Sequence, residues 1–138
     1  MPTHRIQLKG PWDVQRLDQN EPPVRVFMPA AWGEVFRDSP GRAQFRRKFN
    51  QPTNLEAHER VWIVFDGVGG EGLVRINGQE LGTITAESTT AEFEITQQLA
   101  LHNELLVDLT VVAESGPGTD LGLWGAVVLE IRFEPLVP

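Results

Sequence analysis

A chain of 138 residues without cysteine is long enough to bury roughly two thirds of its unfolded surface without staples. It offers no disulfide framework, no thiolate chemistry and no cysteine zinc site. A formal net charge of −7 repels phosphate backbones and anionic lipid, which argues against nucleic acid and membrane surfaces as partners; the basic cluster Arg46, Arg47 and Lys48 is too short to reverse that.

The N-terminus, MPTHRIQLKG, lacks the apolar core of a secretion signal, and no apolar run approaches the ~20 residues that span a bilayer. The expectation is therefore a cytoplasmic protein, one domain over residues 1–138 with loose ends at about 1–4 and 135–138.

In chain order, Ile6 to Leu17 alternates weakly and breaks at Gly10-Pro11, which predicts a short edge strand leading to Trp12 at one end of a core. Asp18 to Pro23 is a polar loop with two prolines. Val24, Val26 and Met28 form the next strand, ended by Pro29, and Ala30 to Arg42 reads as irregular. From Ala43 to Phe49, the side chains of Ala43, Phe45, Arg47 and Phe49 share one face. Arg47 thus points with the phenylalanines, and a cation so placed needs a partner, for which Asp66 is the nearest carboxylate by pattern.

Gln51 to Arg60 is too interrupted for a helix. Val61 to Asp66 is apolar on both faces, as a central strand between packed layers would be. Leu73 to Ile76 alternates, and Asn77-Gly78 supplies the two positive-φ positions of a tight hairpin turn before Gln79 to Gly82 returns. Phe93 and Ile95 face inward in a strand closing on Thr96, the expected cap of one helical turn through Leu99. Leu105 to Ala113 reads as a central strand, and Val127 to Phe133 as a final strand with one wet face. Many short strands and almost no helical periodicity predict an all-β fold, a two-sheet antiparallel β-sandwich.

The segments "FDGV" (Phe65 to Val68), "INGQELG" (Ile76 to Gly82), "FEIT" (Phe93 to Thr96) and "NELLV" (Asn103 to Val107) resemble the N-terminal sugar-binding domain of family 2 glycoside hydrolases, the β-galactosidase and β-glucuronidase group. The likeness extends to "GRAQFRRKFNQP" (Gly41 to Pro52) and "GLWGAVVLEI" (Gly122 to Ile131), most of the chain. It implies a jelly roll of the galactose-binding type. In that family the catalytic glutamates lie in a separate (β/α)₈ barrel, so the resemblance implies a non-catalytic carbohydrate-binding module. The sequence departs from the family at Gly125, where arginine is usual, and at Thr83 to Thr90, which lacks a Gly-Gly-aromatic run.

Chemistry-bearing patterns are few. Gly67 to Gly72 matches G-x-G-x-x-G, but a strand and an Asn-Gly turn follow instead of the helix a dinucleotide needs. His4, His58 and His102 stand apart without ligand spacing, and Ser39, Ser88 and Ser115 lack a nucleophile elbow. Glu92 and Glu94 lie roughly 7 Å apart on one strand face, but that face reads as solvent, and an acid catalyst needs an apolar pocket. No cofactor is expected and no metal is signalled, although related jelly rolls carry calcium.

The resemblance points to the loop before the last strand, Glu114 to Leu123, as the one that lends residues to a sugar pocket. Trp32, Glu114, Asp120 and Trp124 are the candidate carbohydrate-binding residues: a pyranose takes an aromatic face against its C–H side and carboxylates against its hydroxyls. The alternative is a structural or protein-interaction sandwich whose loop rim, with Trp32, Phe36 and Trp124, meets a partner or a second copy. A third reading, a small enzyme whose active site a single sequence does not reveal, would need a concave pocket of coupled titrating groups.

Overall fold

Strict alternation of apolar side chains gives this chain strands of period two, and the computed structural model, which describes residues 4–36, 40–112 and 121–134, contains ten of them among those residues. They are β1 (His4–Gln7), β2 (Trp12–Arg16), β3 (Val24–Val26), β4 (Gly41–Asn50), β5 (Glu59–Phe65), β6 (Glu71–Ile76), β7 (Gln79–Ile84), β8 (Ala91–Glu94), β9 (His102–Val111) and β10 (Val127–Phe133). All pairings between them are antiparallel, in one sheet ordered β1-β10-β5-β8 and a second ordered β3-β2-β4-β9-β6-β7. From β4 onward the chain passes repeatedly between the sheets, and the result is the two-sheet β-sandwich the pattern predicts.

The inner faces meet over one core. From the six-stranded sheet come Val14, Ala43, Phe45, Val74, Ile76, Leu105, Val107 and Leu109; from the four-stranded sheet come Val61, Ile63, Phe65, Val127 and Leu129. Strands β5 and β9 are internal, as expected. Asn77 and Gly78 both have positive φ, 52° and 82°, which is the backbone of the tight turn joining β6 to β7.

The second apolar face of β5 has a different cover from the one expected. Val64 and Val128 are register partners and buried, yet lie outside the core cluster. Around them stands an ion-paired layer of side chains rather than a second layer of backbone. Arg5 meets Asp66 at 2.8 Å, Arg132 meets Glu92 at 2.7 Å and Glu130 at 2.6 Å, and Arg60 meets Glu134 at 2.6 Å. The Arg132 guanidinium also lies 4.3 Å over the Trp62 ring, where the ring's negative face attracts it.

Three local expectations are corrected. Trp32–Phe36 forms a five-residue α-helix, α1, inside the stretch read as irregular. Thr96 is the first residue of the 3-10 turn Thr96–Gln98 and not its cap; its hydroxyl instead accepts the Val61 N–H at 2.8 Å. The weak alternation from Ile6 to Leu17 is two strands in different sheets, with the chain crossing at Gly10-Pro11 and the Trp12 indole donating to the Leu8 carbonyl at 2.8 Å.

Candidate functional site

The loop end of the sandwich gathers the segments after β5, before β10 and around α1. Gly69 and Gly122 form a β-bridge, the Trp32 N–H donates to the Leu121 carbonyl at 2.8 Å, and the Gly125 N–H donates to the Gly67 carbonyl at 2.9 Å. This is where the G-x-G-x-x-G run is used: it knits loops together, and its last two residues, Glu71 and Gly72, already begin β6.

Of the sequence-derived candidates, Trp124 and Trp32 fall at this end, but in different roles. The Trp124 side chain is half-buried, its ring lies against Gly67, and its indole N–H is buried without an acceptor among the described residues. A Cβ at Gly67 would sit 2.7 Å from the ring, and one at Gly125 would sit 2.4 Å from the Gly67 nitrogen. That close approach explains why glycine stands at 125 where the resembled family has arginine. Trp32 is a correction: only 1% exposed, it packs 4.7 Å from the Phe36 ring and 6.4 Å from Phe45. Its position at the start of α1 turns the indole into the core, so it offers no face to a ligand. Glu114 and Asp120 lie outside the described residues.

Arg16 supports that aromatic plug. Buried on β2, it donates from Nε to Asp18 Oδ1 at 2.8 Å and from Nη2 to Asp18 Oδ2 and the Pro40 carbonyl at 2.9 Å, with its guanidinium 5.1 Å over Phe36. The hydrogen bond from Arg16 holds the Asp18 carboxyl below the usual carboxylate range and raises Arg16 in turn.

At the opposite end, where the Asn77 amide donates to the Gln98 carbonyl at 3.0 Å and β4 and β9 terminate in Asn50 and His102, a groove of about 770 Å³ opens between the two sheets. Ile6, Leu8 and Leu129 form its wall on the four-stranded sheet, and Arg47, Phe49 and Asn103 its wall on the other. The alternation of β4 marks Arg47 as facing inward, but its expected partner, Asp66, is a correction. The two cannot meet: Asp66 continues the outward face of β5 and binds Arg5 at 2.8 and 2.9 Å, whereas Arg47 faces inward. Arg47 donates from Nη1 to the Lys48 carbonyl, its Nε is buried without an acceptor among the described residues, and burial lowers its pKa.

Asn77 and Asn103 also line this groove, but their amides serve the fold. Asn103 Oδ1 accepts the Ala100 N–H at 2.8 Å and the Asn77 amide at 3.0 Å, while its Nδ2 donates to Ala100 at 2.9 Å. Asn77 Oδ1 accepts the Glu104 N–H at 2.9 Å. These hydrogen bonds tie the β6–β7 turn to the start of β9.

Among the described residues no group of three or more His, Cys, Asp or Glu could hold a metal ion, and no helix is long and apolar enough to cross a membrane. Glu92 and Glu94 are exposed on β8, and the Arg132 hydrogen bond pushes the Glu92 pKa down, the reverse of what a general acid requires.

No protein-family model matches the sequence, and no curated protein is detectably similar. Solved structures are. The β-glucuronidase of Ruminococcus gnavus matches over 94% of this chain with a TM-score of 0.76 at 16% identity. The β-glucuronidase of Bifidobacterium dentium, complexed with coumarin-3-O-glucuronide, matches over 94% with a TM-score of 0.74 at 21% identity. A β-D-mannosidase from Dictyoglomus thermophilum matches over 91% with a TM-score of 0.71 at 15% identity. The chain spans only 28%, 30% and 22% of those three chains. This protein has the fold of a β-sandwich segment found within family 2 glycosidases.

Proposed function

We propose that this β-sandwich is a non-catalytic carbohydrate-binding module, with a sugar seated at the loop end against Trp124 and with Glu114 and Asp120 as its hydroxyl-binding carboxylates. The observation that carries the reading is the likeness over 94% of the chain to parts of enzymes named for acting on glycosides. Trp124 adds support as a half-buried indole at the loop end, an aromatic of the kind that meets the C–H side of a pyranose. A glycan array probed with labelled protein tests this: retention of one saccharide class, abolished by Trp124→Ala, is the expected result, and a blank array with folded protein rejects it.

A second reading, a partner-docking sandwich, is favoured by one observation. Phe27, beside edge strand β3, is 69% exposed and Val24 on that strand is 47% exposed, and an open edge with apolar side chains is a template for pairing. Its test is the oligomeric state in solution of the wild type against Phe27→Ser.

A further inference from the structure

We infer that the groove between the sheets, at the end remote from Trp124, is a second binding site, one that takes a small organic carboxylate with Arg47 as its ionic partner. The proposal does not depend on the sugar reading of the loop end.

Charge pairing and position together single out Arg47. Arg5, Arg16, Arg25, Arg42, Arg46, Arg60 and Arg132 each lie within 4.0 Å of a carboxylate; among the described residues Arg47 and Arg75 do not, and of these two only Arg47 lines the groove and has a buried Nε without an acceptor. It is more enclosed than most of the paired arginines, because it stands on the inner face of β4 between Phe45 and Phe49, both buried. A guanidinium carries five N–H donors in a planar fork shaped for a carboxylate, and of Arg47's donors one is engaged, by the Lys48 carbonyl. Buried charge without a partner is costly, so an arrangement of this kind fits an anion supplied from outside the chain.

The surroundings define that anion. Arg47 is the inward-facing charge among the residues lining the groove; Lys48 and Glu104 are register partners on the outward face of β4 and β9 and offset each other. The groove is therefore locally cationic within a protein of net charge −7, which focuses anions there. Its size is that of a small-molecule pocket. With Asn77 and Asn103 committed to the fold, the polar groups left for a ligand are few, while Ile6, Leu8, Phe49 and Leu129 supply an apolar wall. The ligand that fits is one carboxylate on a compact, C–H-rich ring. A sugar acid and a non-saccharide cyclic acid both answer to it.

Titrating D-galacturonate, cyclohexanecarboxylate and neutral D-galactose into ¹⁵N-labelled protein tests this. At least one acid should shift the amide signals of Asn50, His102 and Asn103 saturably, and its affinity should fall about tenfold or more in Arg47→Met, the loss of a charge-assisted pair. Galacturonate alone binding would identify a saccharide source, and cyclohexanecarboxylate binding as well would identify the acid on an apolar ring; either upholds the site. If Arg47→Met does not fold, Arg47→Lys keeps the charge without the fork and should weaken binding about threefold. Absence of groove shifts with both acids, or affinity unchanged in the folded variants, would overturn the proposal.

Discussion

The Trp124 indole rests on Gly67, so closely that a Cβ at 67 would lie 2.7 Å from the ring. Gly67→Ala must therefore lift the indole or shift the β5–β6 connection, at a cost of about 1–3 kcal/mol for overpacking. Urea unfolding followed by circular dichroism should show that loss. Tryptophan emission should shift to the red in the folded variant as the ring gains exposure.

Asn103 holds four hydrogen bonds from one buried amide, to Ala100 twice, to Asn77 and to the Phe49 carbonyl. Asn103→Ala strands the Ala100 N–H and the Asn77 amide together, and the expected loss is about 2–3 kcal/mol. Asn103→Asp restores the acceptor alone and should recover part of it. Denaturation midpoints at constant slope provide the measurement.

Acid should weaken the sandwich through Glu92 and Asp18. Both carboxyls have folded-state pKa values below the ordinary range, through hydrogen bonds from Arg132 and Arg16 respectively. The folded state thus binds fewer protons than the unfolded state in that window, so their contribution is complete above the unfolded range near about pH 4 and disappears as pH falls through the depressed folded values. Glu92→Gln and Asp18→Asn should each lower Tm at pH 7 and flatten its decline below pH 4, with the difference from wild type vanishing at the acid end.

Arg47 carries the opposite sign. Its enclosed Nε lacks an acceptor, so Arg47→Met in ligand-free protein should be neutral or raise the unfolding free energy by about 1 kcal/mol. A loss of 2 kcal/mol or more would mean that the cation is stabilised by the protein itself.

The sandwich was legible because its signals are local. Alternation placed Ala43, Phe45 and Phe49 inward, and Asn77-Gly78 announced its turn without help from distant residues. What stayed hidden depends on which sheet a strand joins. Arg47 and Asp66 looked like partners because both adjoin apolar strands, but inward and outward faces of different sheets keep them apart, and Arg5, 61 positions away from Asp66, takes the carboxylate. Likewise, Val64 and Trp62 looked like a second core face because an ion-paired cover from β1, β8 and β10 leaves no periodic trace in β5. Trp32 suited a binding rim by composition; its burial follows from α1, five residues too short to show helical periodicity. The groove left no motif, since Ile6, Arg47, Asn77 and Leu129 converge from four strands and turns.

The proposed function has this domain bind sugar through Trp124 without cleaving it. Titration of intrinsic tryptophan fluorescence with galactosides, glucuronides and plant or microbial polysaccharides, in wild type and Trp124→Ala, tests it most directly. The expected result is a saturable change with at least one saccharide, absent from the folded variant, and recovery of that saccharide intact. A flat response across the panel, or a saturable change that survives the loss of Trp124, would contradict it.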